Sequence, residues 1–133
     1  LAEDERLICP SAALAAAGDG VRFTLTMAAQ SFPVFVIRFE GAVRAYLNRC
    51  AHMPMELDWK RGRFFDGEGR LLLCSTHGAA YDPMNGACRG GPCDGGGLYR
   101  LPVIERDGSV YLQLAGASQA SIELDFVPDQ SAG

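Results

Sequence analysis

Cys50-Ala51-His52 and Cys74-Ser75-Thr76-His77, joined by the segment Met53 to Leu73, decide how the rest of this chain is read. Each run offers one soft thiolate and one imidazole. The chain contains only two histidines, and each stands two or three residues after a cysteine. Unrelated surface or core residues rarely fall into that pattern, so the two runs point to a metal site. One Zn²⁺ can accept two cysteines and two histidines. Structural zinc sites, however, usually pair like with like, as C-x₂₋₄-C and H-x₃₋₅-H.

Here each run carries one ligand of each kind, an arrangement that suits a dinuclear centre with both cysteines on one iron and both histidines on the other. At these residues the sequence resembles the Rieske family, whose signature is C-x-H … C-x-x-H followed by glycine, here Gly78. The likeness continues through Gly78-Ala79-Ala80-Tyr81-Asp82, Gly86, Gly90-Gly91-Pro92 and Leu98-Tyr99-Arg100-Leu101-Pro102-Val103, and runs from about Val34 to Leu114. It implies one Rieske-type [2Fe–2S] cluster per chain, held by Cys50, His52, Cys74 and His77, with Gly78, Tyr81 and Pro92 packed around it. It also implies an all-β fold: a Rieske-like β-sandwich or partly open barrel base, with a small cluster-binding subdomain at about residues 48–94 inserted between its strands. Residues 1–133 are then a single domain. Periodicity alone supports only a mostly β chain.

Composition agrees with a globular β protein. Sixteen glycines and seven prolines in 133 residues favour many turns. A net charge of −4, with no basic stripe, argues against nucleic acid and fits a protein partner with a basic docking patch. No apolar run is long enough to cross a bilayer, and the acidic start Leu1-Ala2-Glu3-Asp4-Glu5 is unlike a secretory signal. A soluble carrier without a membrane anchor is expected. Two of the five cysteines go to the cluster, and the odd remainder of Cys9, Cys88 and Cys93 suits a reducing cytoplasm. Cys88 and Cys93 flank the Gly-Gly-Pro turn. Free thiols are the expectation there, with a disulfide as the alternative.

Along the chain, Arg6 to Pro10 reads as an opening strand. Ser11 to Gly18 reads as one or two helical turns capped by Ser11 and ended by Gly18, or as an alanine-rich connector. Val21 to Met27 alternates like a half-buried strand. Phe32–Phe39 and Ala42–Leu47 form a hairpin about Glu40-Gly41. Leu57-Asp58-Trp59 and Phe64-Phe65 read as core beneath the cluster, or alternatively as a partner contact. Asp66 to Gly69 turns the chain, and Arg70 to Leu73 is a short strand feeding Cys74. Tyr99–Glu105 and Ser109–Leu114 pair about Asp107-Gly108, Ile122 to Phe126 adds an edge strand, and Val127 to Gly133 frays.

Two thiolates and two neutral imidazoles leave a cluster with roughly two fewer negative charges than four thiolates would, so an electron is added more easily. Rieske centres accordingly lie at about −150 to +300 mV, against about −400 mV for plant-type ferredoxins. Imidazoles at the surface offer the electron a way out to a docked partner, with Met53 and Met55 beside them either an apolar docking rim or packing. Their ring N–H groups grow more acidic on oxidation, so the potential should fall as pH rises. High-potential Rieske proteins resemble one another in a serine two residues after the second histidine and a tyrosine two further on, here Ala79 and Tyr81. They also join the two loops by a disulfide, whose places here are Met55 and Thr76. The missing serine and staple imply a low to intermediate potential. Tyr81 is either a donor to a cluster sulfur or a core aromatic with its hydroxyl in water.

The resulting expectation is a soluble one-electron carrier, similar to a Rieske ferredoxin. It would take electrons from an NAD(P)H-dependent flavin reductase and pass them to a terminal oxygenase such as a dioxygenase. The alternative is a Rieske subunit or fragment of a larger oxygenase or reductase complex. A zinc-stabilised interaction domain is a third possibility. No histidine is left over for a mononuclear iron site or for a nucleophile–base pair, so no catalytic residue is assigned.

Overall fold

Short apolar runs separated by turn dipeptides fold into eleven antiparallel strands in a computed structural model, which describes residues 4–50, 55–58, 60–74, 78–93 and 96–128. In chain order they are β1 (Glu5–Pro10), β2 (Val21–Met27), β3 (Gln30–Phe39), β4 (Ala42–Leu47), β5 (Leu72–Leu73), β6 (Ala80–Tyr81), β7 (Cys88–Gly90), β8 (Arg100–Leu101), β9 (Val103–Arg106), β10 (Ser109–Gln113) and β11 (Ser121–Phe126). They make a three-stranded sheet β1-β10-β9, a five-stranded sheet β11-β2-β3-β4-β8, and a small sheet β5-β6-β7. The fold is all-β, and its sheets do not close into a barrel.

The glycine-bearing turns behave as their chemistry demands. Glu40-Gly41 (φ +50° and +81°) and Asp107-Gly108 (φ +53° and +76°) have both central residues left-handed, the twist that suits a two-residue hairpin. The β2–β3 hairpin does the same with Ala28 and Ala29 (φ +51° and +64°), residues that carry a Cβ penalty there and give no turn signal in sequence.

β3 explains how one sheet serves two purposes. Its centre, Val34-Phe35-Val36-Ile37, is buried on both faces. Val34 and Val36 point into a core shared with Ile8, Phe23, Val110 and Leu112, which joins the two larger sheets as a sandwich. Phe35 and Ile37, with Tyr46 of β4, point the other way into a second core with Leu57, Phe64, Leu72 and Tyr81. There Phe64 stacks on Phe35 with ring centroids 3.9 Å apart. Leu57 and Phe64 are therefore core residues, and Phe65 packs on Phe39. Trp59 lies outside the described residues.

Three expectations need correcting. Of Ser11–Gly18 only Ser11–Ala13 is helical, as a single 3₁₀ turn without a side-chain cap, because the chain then pairs with β3. There Ala17 N–H donates to the Arg38 carbonyl at 2.8 Å, and the Arg38 guanidinium donates to the Leu14 carbonyl at 2.9 Å. The strand expected at Tyr99–Glu105 is two strands in different sheets, broken at Pro102, which has no N–H for a ladder. Val127 packs against the sandwich core rather than fraying, while residues 129–133 lie outside the described residues.

Candidate metal centre

Cys50 follows the end of β4, and its N–H donates to the Met55 carbonyl at 2.7 Å, closing the loop between them. Cys74 follows β5, and its N–H donates to the Ala79 carbonyl at 2.8 Å. In each case a backbone bond runs from the cysteine to the residue five further on. Gly78, with φ +74°, completes the second turn by donating its N–H to the Cys74 carbonyl at 2.8 Å. Both thiol side chains are turned inward, with residue exposures of 3% for Cys50 and 0% for Cys74, and both belong to the second core.

Tyr81 lies between β5 and β7 in the small sheet, opposite Leu72 and Cys88. It is fully buried, and its hydroxyl stands 3.2 Å from Cys50 Sγ. Ala79 is also fully buried and brings only a methyl group to the place where a serine hydroxyl would stand. Tyr46, beneath, donates its hydroxyl to the Pro83 carbonyl at 2.6 Å, and burial pushes its pKa up to about 12.

The proline loop lies against the second cysteine loop. Gly91 has φ +80°, and a Cβ there would come within 2.6 Å of the Gly78 carbonyl oxygen, so only glycine allows this approach. Pro92 follows, exposed. The turn brings the Cα atoms of Cys88 and Cys93 to 5.7 Å, and the two cysteines are joined as a disulfide. The free thiols expected from the cysteine count are therefore wrong for this pair. The loop reverses direction tightly enough to bring the two sulfurs into bonding range. Cys9 is left in the sandwich core, where burial pushes its thiol up to about 11 and makes it unreactive at neutral pH.

His52 and His77, with Met53, Pro54 and Thr76, lie outside the described residues. Among the described residues no group of three or more metal-ligating side chains is assembled.

Residues 4–105 match the sequence profile of the Rieske [2Fe–2S] domain. The chain belongs to the Rieske family. Its cofactor is accordingly a [2Fe–2S] cluster, which sets aside the zinc alternative. Comparison with curated proteins returns no match. Among solved structures, this Rieske chain is similar to a ferredoxin of Sphingomonas yanoikuyae B1, with 23% identity, a TM-score of 0.63, and coverage of 82% of this chain and 97% of the other. The ferredoxin of carbazole 1,9a-dioxygenase from Nocardioides aromaticivorans IC177 aligns at 21% identity, TM-score 0.65, covering 83% and 97%. The terminal oxygenase of carbazole 1,9a-dioxygenase from Novosphingobium sp. KA1 aligns at 25% identity and TM-score 0.69, covering 85% of this chain and 30% of the oxygenase.

The described residues fit such a cluster: two buried thiols belong to an apolar core, and the Tyr81 hydroxyl stands 3.2 Å from one of them. No helix among the described residues is long and apolar enough to cross a membrane.

Sequence reasoning missed a polar group beneath the first loop. Asn48 accepts the Leu57 N–H at 2.9 Å and donates to Asp58 at 3.1 Å, both buried. Arg22 of β2 reaches Asp58 at 3.3 Å. One signal was available: an aspartate inside the apolar run Leu57-Asp58-Trp59.

Proposed function

We infer that this chain is a one-electron carrier in which Cys50 and Cys74 bind one iron of the cluster and His52 and His77 the other. When bound, the cluster supplies a centre that accepts and returns a single electron at constant ligation. The residues of the chain do the rest. Tyr81 places an O–H at the Cys50 sulfur, where it favours the more negative, reduced state. Ala79 withholds a second donor. Gly91 lets the proline loop lie close against the Gly78 carbonyl. Pro92 and Met55, both exposed, belong to the rim that a partner meets.

The observation that carries this reading is the pair of buried thiols, Cys50 and Cys74, each heading a loop closed by a backbone bond, with the Tyr81 hydroxyl 3.2 Å from Cys50 Sγ. The similarity to two ferredoxins supports a carrier. We take the donor to be an NAD(P)H-dependent flavin reductase and the acceptor a terminal oxygenase. One solved neighbour is a complex of a reduced oxygenase with an oxidised ferredoxin in carbazole 1,9a-dioxygenase, which supports that choice of acceptor. Residues 48–94, taken as the cluster subdomain, hold six basic and six acidic residues, so the chain's net charge of −4 belongs entirely to the base. A docking surface at the cluster end is therefore close to neutral.

A low to intermediate potential is supported by the buried methyl of Ala79 and by methionine rather than cysteine at position 55. A cytoplasmic setting is our expectation as well. The odd-cysteine argument for it now rests on Cys9, and the Cys88–Cys93 disulfide pulls towards an oxidising compartment. The testing experiment is anaerobic reduction with visible and electron-spin spectra and a midpoint titration. A Rieske spectrum, reversible one-electron reduction and no turnover by the protein alone support the carrier. A colourless protein without iron and labile sulfide refutes it. Tight co-purification with a large subunit would favour the alternative, a Rieske component of a larger oxygenase or reductase, which the similarity to the oxygenase keeps in view.

A further inference from the structure

Beneath the first cysteine loop, five polar side chains from three distant parts of the sequence meet at one place. Arg22 is the hub. It comes from β2, is 8% exposed, and contacts three carboxylates: Glu56 at 3.1 Å through both oxygens, Asp58 at 3.3 Å, and Asp125 of β11 at 2.9 Å. The Asp58 side chain is fully buried. Besides Arg22, its oxygens accept the Asn48 amide at 3.1 Å and the Gly62 N–H at 2.9 Å. Asn48, two residues before Cys50, also accepts the Leu57 N–H at 2.9 Å.

The bonding gives this group two consequences. Asn48 and Asp58 tie the two ends of the first loop together through side chains, outside the backbone bond from Cys50 to Met55. Arg22 then fixes that tie to the five-stranded sheet. The second consequence is electrostatic. Asp58 sits in a buried setting one hydrogen-bonded side chain away from the strand end that carries Cys50. Charges in such a setting act on their neighbours more strongly than exposed ones do, because less water screens them.

We propose that Arg22 and Asp58 are positioning residues that set the cluster's reduction potential in opposite directions. Asp58 opposes the arrival of an electron, and Arg22 offsets it. This rests on the carrier reading above, and the test separates the two. The midpoint and electron-spin spectrum are measured for the wild-type protein and for Asp58→Asn, Arg22→Met, Glu56→Gln and Asp107→Asn.

Asp58→Asn keeps the shape and the bond from Asn48 possible while removing a negative charge, so the midpoint should rise. Arg22→Met leaves the carboxylates without their counter-charge, so the midpoint should fall. Glu56→Gln, with its side chain 46% exposed, should raise the midpoint by less than Asp58→Asn does. Asp107→Asn, in the base hairpin, should leave it unchanged. A purely structural group would give variants that lose cluster but keep the wild-type midpoint in what remains. That result, or shifts of the same sign in Asp58→Asn and Arg22→Met, overturns the proposal. If Arg22→Met does not fold, a midpoint in Asp58→Asn at or below wild type is enough to overturn it. A wild-type protein with no Rieske spectrum refutes the carrier reading and this proposal with it.

Discussion

Replacing Tyr81 by phenylalanine removes the hydroxyl 3.2 Å from Cys50 Sγ and keeps the fully buried ring. A hydrogen bond to a charged acceptor contributes about 1.5–3 kcal/mol. Only the part that differs between oxidised and reduced clusters moves the potential. The reduced cluster carries one more negative charge, so its sulfur is the better acceptor. Taking roughly half the bond, about 1 kcal/mol, as the difference, and about 59 mV per tenfold change for one electron, the midpoint of Tyr81→Phe should fall by about 40 mV. Spectroelectrochemical titration at neutral pH measures it, with iron and sulfide content as the check on cluster loading. A fully loaded variant whose midpoint equals or exceeds that of the wild type would refute the assignment of this hydroxyl as a donor to the cluster.

Replacing His52 or His77 with cysteine should abolish or shift the Rieske electron-spin spectrum, and an unchanged spectrum removes that histidine from the ligand set. Gly91→Ala drives a methyl into the Gly78 carbonyl at a left-handed position, and should speed cluster loss in air, followed by the decay of visible absorbance. Converting both Cys88 and Cys93 to serine opens a cross-link of sequence separation 5, worth about 2 kcal/mol by chain entropy. Its urea midpoint should fall to that of the wild type held in reductant. The Arg38 guanidinium beside Glu105 holds that carboxyl down at about 2, against an ordinary 4.5. A depressed carboxyl stabilises the fold fully above about 4.5 and loses that contribution as pH falls towards about 2. Glu105→Gln should therefore show a shallower loss of stability between pH 5 and pH 3 in denaturant titrations, the range being roughly that of the shift.

The residues that speak most plainly in the sequence are those whose local chemistry leaves few choices. Glu40-Gly41 and Asp107-Gly108 fall at hairpins because a two-residue loop needs positive φ, and the alternation of Val21, Phe23, Leu25 and Met27 matches β2. Ala28-Ala29 turns the chain without any such signal, because the pairing of β2 with β3 imposes the turn on residues that do not favour it. The helix expected at Ser11–Gly18 loses to a long-range partner, Arg38, that local propensity cannot see. At the site, the cysteines announce themselves by spacing. The Arg22–Asp58 pair does not, since it depends on which distant segments the fold brings together, and the Cys88–Cys93 disulfide depends on the geometry of the turn between them, which a cysteine count does not reveal.

β3 shows its two cores alternately, residue by residue, and this limits how the molecule can be divided. Excising residues 48–94 would strip cover from Phe35, Ile37 and Tyr46, all fully buried, at a cost of about 1.5–3 kcal/mol for each large side chain exposed. A transplant of residues 48–94 onto another sandwich must therefore carry the outward face of the supporting sheet along with it. The dividing wall is common property, and neither room stands without it.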